Sequence, residues 1–187
     1  MSRRAGAVVA LAVVLAGCGV PAEDVPRAVT PPPGPFPYTA TAAPTPETGR
    51  VVETLYLVRD ARLVPVTRRV DSVPAAGALL RDLLAGPTAS ERDDGLTSAL
   101  PGAVSAVGVE ISGGLARVAV APAGAEAGRS DEVLAYGQIV CTLTARADVD
   151  AVTFLRDGAA LAVPRADGAL SAQPLTAADY AELVSRR

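Results

Sequence analysis

The chain has 187 residues, half of them hydrophobic, a formal net charge of −3, sixteen Pro, two Cys, one Met and neither His nor Trp. All seventeen basic residues are Arg, which removes Schiff-base lysine chemistry, the Walker-type phosphate lysine, and the Ser–His and Cys–His nucleophile pairs. A nucleic-acid binder needs a concentrated basic face and stacking rings, and this composition supplies neither.

Residues 1–17 read as an address. Ser2, Arg3 and Arg4 give a positive start, and an apolar run from Ala5 to Ala16 follows. About a dozen residues span only ~18 Å as helix against ~30 Å of hydrocarbon, too short for a settled membrane span but right for a secretory signal. Leu15-Ala16-Gly17-Cys18 resembles a bacterial lipobox. That resemblance implies cleavage before Cys18, a covalent diacylglycerol on its thiol, acylation (palmitate among the acyl groups) and anchoring at the extracytoplasmic face of the cell membrane. An ordinary signal peptide cut near Ala16 is the alternative. Cys141, in the apolar stretch Ile139–Leu143, reads as a small buried hydrophobe; a Cys18–Cys141 disulfide is incompatible with lipidation.

Residues 18–50 read as a lipid-anchored, disordered tether. From Gly19 to Gly49, nine of thirty-one residues are Pro. Such a stretch buries too little apolar surface to offset its ordering entropy, and at ~3.1 Å per residue it reaches at most roughly 95 Å.

Regular patterning begins at Val51. Val51–Val58 reads as a strand buried on both faces, Arg59-Asp60-Ala61 as a turn, and Leu63–Val70 as the returning strand. Pro65 places that strand at an edge. Pro74 opens a helix carrying Ala75, Leu79, Leu80, Leu83 and Leu84, which Gly86-Pro87 ends. Thr88-Ala89-Ser90-Glu91 has capping-box spacing and predicts a helical turn closed by Asp93-Asp94-Gly95. Two strands, Val104–Ile111 and Leu115–Val120, join through Ser112-Gly113-Gly114. After a small-residue loop, Pro122–Gly128, Ser130 caps a helix with Val133, Tyr136, Val140 and Leu143 on one stripe. A third hairpin runs Val149–Leu155, Arg156-Asp157-Gly158, Ala159–Val163. Thr176 caps a short helix through Val184. This order predicts an α+β fold: three β-hairpins and two main helices in a layered single domain.

The candidate sites are few. Asp93, Asp94, Asp148, Asp150 and Asp157 fall at turns and helix ends, where carboxylates accept local backbone N–H groups, so no metal site is expected. Gln138 reads as a core hydrogen-bonding residue. The pair Arg68-Arg69 reads as strand alternation with one side chain in solvent, and as a possible interaction surface for a partner's carboxylates. An aromatic-lined cleft for a small ligand or glycan would have to draw on Tyr56, Tyr136, Phe154 and Tyr180.

Several separated blocks resemble the GerMN domain of sporulation and germination proteins: Tyr56-Leu57-Val58 with Leu63-Val64-Pro65-Val66 and Arg68-Arg69; Leu83-Leu84-Ala85-Gly86-Pro87-Thr88 with Glu91; Gly95-Leu96 with Ser98–Pro101; Gln138–Val140 with Thr142–Thr144; and Val152–Phe154 with Asp157-Gly158. The resemblance covers residues 51–164, leaving 165–187 as a C-terminal extension with a short helix. The Arg-rich, Lys-free composition is similar to GerMN lipoproteins of actinobacteria, among them LpqB, where such a domain precedes a β-propeller. The resemblance implies a non-catalytic, membrane-anchored scaffold or sensor-accessory module with an envelope protein as partner, no nucleic acid, no metal and no cofactor beyond the lipid. A small-ligand or cell-wall glycan binder is the alternative.

Overall fold

A computed structural model of the chain describes residues 49–121 and 129–185. The leader, Cys18, nearly all of the Pro-rich stretch and the Pro122–Gly128 loop lie outside the described residues. So does the side chain of Ser130, which falls within the first turn of its helix instead of preceding it.

Strands β1 (Val51–Arg59) and β2 (Arg62–Val70) form a two-stranded antiparallel sheet, in register from Val51–Val70 to Arg59–Arg62. The connecting turn is two residues long, Asp60 and Ala61, with φ of 51° and 55°. Two consecutive positive φ angles match the right-handed twist of a hairpin. Burial along β1 corrects the expectation of a strand covered on both faces. Glu53, Leu55 and Leu57 are buried on one face, whereas Val52 is 55% exposed. Pro65 lies opposite Tyr56, at a position whose N–H would point out of the hairpin, so its missing donor removes no bond between β1 and β2.

Helix α1 (Ala76–Ala85) buries Ala76, Leu79, Leu80 and Leu83, and Gly86 ends it with φ of 77°, its N–H donating to Leu83 O at 3.1 Å. Only Gly takes that backbone region without strain. Helix α2 (Ala89–Asp93) is a single turn held by a reciprocal capping box: Glu91 N–H donates to Thr88 Oγ1 (3.3 Å) and Thr88 N–H to Glu91 Oε2 (2.7 Å).

Strands β3 (Ser105–Ser112) and β4 (Leu115–Ala121) are antiparallel, with a register shift between Ala106 and Gly108 that leaves Val107 70% exposed. On β4, Ala116, Val118 and Val120 are buried while Arg117 points out, as alternation requires. Helix α3 (Arg129–Thr144) then crosses over so that β5 (Ala151–Arg156) pairs with β4 in parallel. The last hairpin is therefore no independent unit but completes a four-stranded mixed sheet. Its turn, Asp157-Gly158, has φ of 51° and 78° as expected. Its second arm is shorter than expected: β6 covers only Ala159–Ala160, and Val163–Pro164 (β7) departs to pair with Leu170–Ser171 (β8). The fold is α+β, with mixed pairing and several short helices in place of three separate hairpins and two helices.

Helix α3 is also more deeply placed than one apolar stripe implies. Every residue from Leu134 to Leu143 is buried, because β1, β2, β5, β7, α1 and the C-terminal segment all pack on it. That segment ends in a 3₁₀ helix, Ala177–Leu183, started by Thr176 N–H donating to Asp179 Oδ2 at 2.8 Å. Tyr180 is fully buried, and its hydroxyl donates to Pro164 O at 2.7 Å. Leu175 exchanges two backbone bonds of 2.8 Å with Val152, and Ser185 N–H donates to Leu63 O at 2.8 Å.

Two substitutions probe these packing statements through urea unfolding. Ala61→Gly relieves a side chain from the left-handed region and is expected to stabilise by ~0.5–1 kcal/mol; a lowered midpoint would contradict the turn geometry. At Gly137 an added Cβ would sit 2.9 Å from both Leu63 Cδ1 and Tyr180 Cδ1. Gly137→Ala should therefore destabilise by about 1–3 kcal/mol through overpacking, although helix propensity alone favours Ala by ~1 kcal/mol.

Candidate functional site

Most of the residues singled out in the sequence turn out to build the fold. Gln138 is fully buried: its Oε1 accepts from Ala99 N–H (2.7 Å) and its Nε2 donates to Tyr56 O (2.9 Å). Cys141 is a free, buried thiol whose pKa burial pushes up to about 12, so it stays protonated and unreactive. Tyr136 and Phe154 meet edge to face at 4.8 Å inside the core, Tyr180 is buried and Tyr56 half-buried. These rings do not line a cleft. Asp93, Asp94, Asp148, Asp150 and Asp157 are dispersed and exposed. Among the described residues no group of three or more His, Cys, Asp or Glu is placed to hold a metal. Leu15, Ala16, Gly17 and Cys18 lie outside the described residues.

Of the Arg68-Arg69 pair, Arg69 is exposed and Arg68 turns inward. The Arg68 guanidinium forms a fork on Glu91, Nε to Oε1 at 2.9 Å and Nη2 to Oε2 at 2.7 Å, and Nη2 also donates to Gly86 O at 3.0 Å. Both side chains are largely buried, 14% and 11% exposed. Arg68 thus ties β2 to the end of α1 and the cap of α2. Burial alone would raise the Glu91 pKa, but the bonds from Arg68 and Thr88 and the Arg68 charge outweigh it and hold the carboxyl below its ordinary value.

Glu53 belongs to no motif in the sequence. It shares the buried side of β1 with Leu55 and Leu57 and is itself only 6% exposed. Its Oε2 is buried without a hydrogen-bond partner. Burial, helped by the like charge of Asp82, raises its pKa against the opposing effect of Arg68. Beside it opens a cleft of about 470 Å³, whose walls include Val52, Val73, Leu79, Thr142 and Arg146. Val73 is 69% exposed, Leu79 and Thr142 are buried, and no aromatic side chain takes part. Arg146 does not neutralise Glu53. Its guanidinium pairs with Asp148 through two bonds of 2.8 Å and donates to Pro74 O at 2.5 Å. A charged residue at the buried parity of an otherwise apolar strand was the available signal in the sequence.

The two glutamates should titrate stability in opposite directions. Glu91 has a lowered folded-state pKa, so its contribution is full above the ordinary carboxyl value and is lost as pH falls through the folded one. Glu53 has a raised value, so the fold favours its protonated form and loses stability as pH rises from the ordinary value through the raised one. In urea unfolding at pH 7, Glu91→Gln is expected to destabilise by about 2–4 kcal/mol, a deficit that narrows in acid. Glu53→Gln is expected to stabilise at pH 7, with the gain vanishing near pH 4 (about the unperturbed carboxyl value). Parallel pH profiles for the two variants would refute the assignment.

Comparison with known proteins places this arrangement in a family. The tandem GerMN domains of the sporulation protein GerM from Bacillus subtilis share the fold, at 23% identity and a TM-score of 0.53, over 73% of this chain and 49% of that one. The chain thus spans about half the length of that structure. The first GerMN domain of the same protein, taken alone, matches at 21% identity and a TM-score of 0.48, covering 60% of this chain and 86% of that domain. No curated protein matches. Residues 40–162 match the family model Germane, described as sporulation and spore germination. With more than half its length so matched, the chain belongs to the Germane family, the family of GerMN domains.

Proposed function

We propose that the chain is an envelope lipoprotein, anchored through Cys18 at the extracytoplasmic face of the cell membrane, whose GerMN domain docks another protein as a scaffold or sensor-accessory module. The observation that carries this reading is membership of a family described as sporulation and spore germination, matched over residues 40–162. The chemistry agrees with it. The buried polar side chains Gln138, Thr142, Arg68 and Glu91 are all spent on backbone groups or on one another, an arrangement suited to a rigid binding platform. The charged leader and the Leu15-Ala16-Gly17-Cys18 sequence support the anchor, and the Pro-rich stretch supports a spacer between membrane and domain. A small-ligand reading draws support from the 470 Å³ cleft, but no ring that a glycan would stack on lines it.

Intact mass of the protein from native membranes, for wild type and Cys18→Ala, tests the anchor. A diacylglycerol-sized increment on wild type that the variant lacks is expected, and an unmodified secreted form would overturn it. Crosslinking in those membranes is expected to return a reproducible protein partner; its absence would overturn the docking role.

A further inference from the structure

We infer that the cleft beside Glu53 receives a cationic side chain, Lys or Arg, carried on an extended segment of the partner protein. The inference names the chemistry of that partner and so rests on the docking role proposed above.

Charge comes first. Oε2 of Glu53 is buried with no partner, a state that is expensive to maintain in the free protein. The neighbouring cations are already committed: Arg68 to Glu91 and Gly86 O, and Arg146 to Asp148 and Pro74 O. Asp82 adds further negative charge near Glu53. An incoming anion would be repelled, and a purely apolar group would seal in an unpaired carboxyl. An ammonium or guanidinium satisfies it with a charge-assisted hydrogen bond.

The shape of the cleft agrees. The walls beside Glu53 are aliphatic, Val52, Val73 and Leu79, the lining that the methylene stem of Lys or Arg covers while its charged head reaches a carboxylate. The strand edge is open as well. Tyr56 and Val58 turn their N–H and C=O away from β2, and there Thr142, Gln138 and the Thr97 backbone satisfy them. The same alternation turns Val52 and Thr54 outward. Both line the cleft, and among the described residues no hydrogen bond from another element reaches their backbone. A strand edge left open next to a lone buried carboxyl fits an extended peptide that pairs with β1 and inserts one basic side chain.

The test is a titration of the ¹⁵N-labelled full chain in neutral detergent micelles, followed by amide shifts at constant ionic strength. The probes are n-butylguanidinium, n-butylammonium and, as a neutral control, 1-pentanol. Saturable shifts confined to residues 51–54, Val73 and 145–148 are expected with the two cations, weakened ~10-fold or more in Glu53→Gln. Should that variant not give a folded spectrum, Val73→Trp decides, because it fills the cleft from an exposed position and is expected to abolish the shifts. No saturable shifts, or equal response to 1-pentanol, overturns the inference. In native membranes, a crosslinked partner retained by Glu53→Gln would overturn it while leaving the docking role standing. Loss of that partner in Glu53→Gln but not in Arg69→Gln supports it. Failure to find any partner for wild type would remove the docking role, with the cation titration still deciding the chemistry of the cleft.

Discussion

The fold hangs on how the outer edge of β1 is satisfied. A two-stranded hairpin leaves half the backbone groups of each strand facing outward, and buried ones must find partners. At Tyr56 both are met by side chains one turn apart on α3: Thr142 Oγ1 accepts from the N–H and Gln138 Nε2 donates to the C=O, each at 2.9 Å. The other end of the Gln138 amide holds Ala99 N–H, and Val58 exchanges two backbone bonds with Thr97. A helix buried on all sides has no polar face to fix its rotation, and in this protein the Gln138–Thr142 pair fixes it. Position along the axis is set as well, because a slip of one residue would orphan three backbone groups, the N–H and C=O of Tyr56 and the N–H of Ala99. Gly137, next to Gln138 and without a side chain, lets Leu63 and Tyr180 close on the helix.

Charge inside the domain is handled in two contrasting ways. Arg68 and Glu91 are both largely buried, yet their fork, the Gly86 carbonyl and the Thr88 N–H give each charged group three hydrogen bonds. They join β2, the glycine stop of α1 and the start of α2 at one point. Burial of such a pair is tolerable only with this completeness of bonding. Glu53, opposite Arg68 on the neighbouring strand, has the burial without the partners. Fully bonded charge stabilises a junction, whereas an incompletely bonded one leaves a preference for whatever binds there.

Local chemistry was legible in the sequence wherever a residue type has only one good use. The Thr88–Glu91 capping box, the Gly86 stop, the Asp157-Gly158 turn and the alternation on β4 each follow from bonding or steric rules acting over four or five residues, and each is found. The core role of Gln138 was legible because an amide in an apolar helix must find partners. What could not be read is decided by contacts across long stretches of chain. The parallel pairing of β4 with β5 depends on α3 as a crossover, and the split of the last hairpin depends on Val163–Pro164 meeting Leu170–Ser171. The inward turn of Arg68 depends on Glu91, twenty-three residues away, so a pair that read as a surface feature divides, one side chain outward and one in the interior. Glu53 was hidden for the same reason, because its neighbours come from α1 and α3.

The return of the C-terminal segment has a kinetic consequence. Tyr180 fills the centre of the core, Leu175 pairs with β5 and Ser185 bonds back to Leu63 near the start of the domain. Contacts of such sequence separation carry a loop-closure penalty that is repaid only once both ends are present. During synthesis from the N-terminus, β1 and β2 therefore emerge long before the residues that cover their inner face. Until residues 175–185 are available, α3 lacks one of its walls and the core stays incomplete. Residues 175–185 thus act as a latch on contacts that can form only late in synthesis.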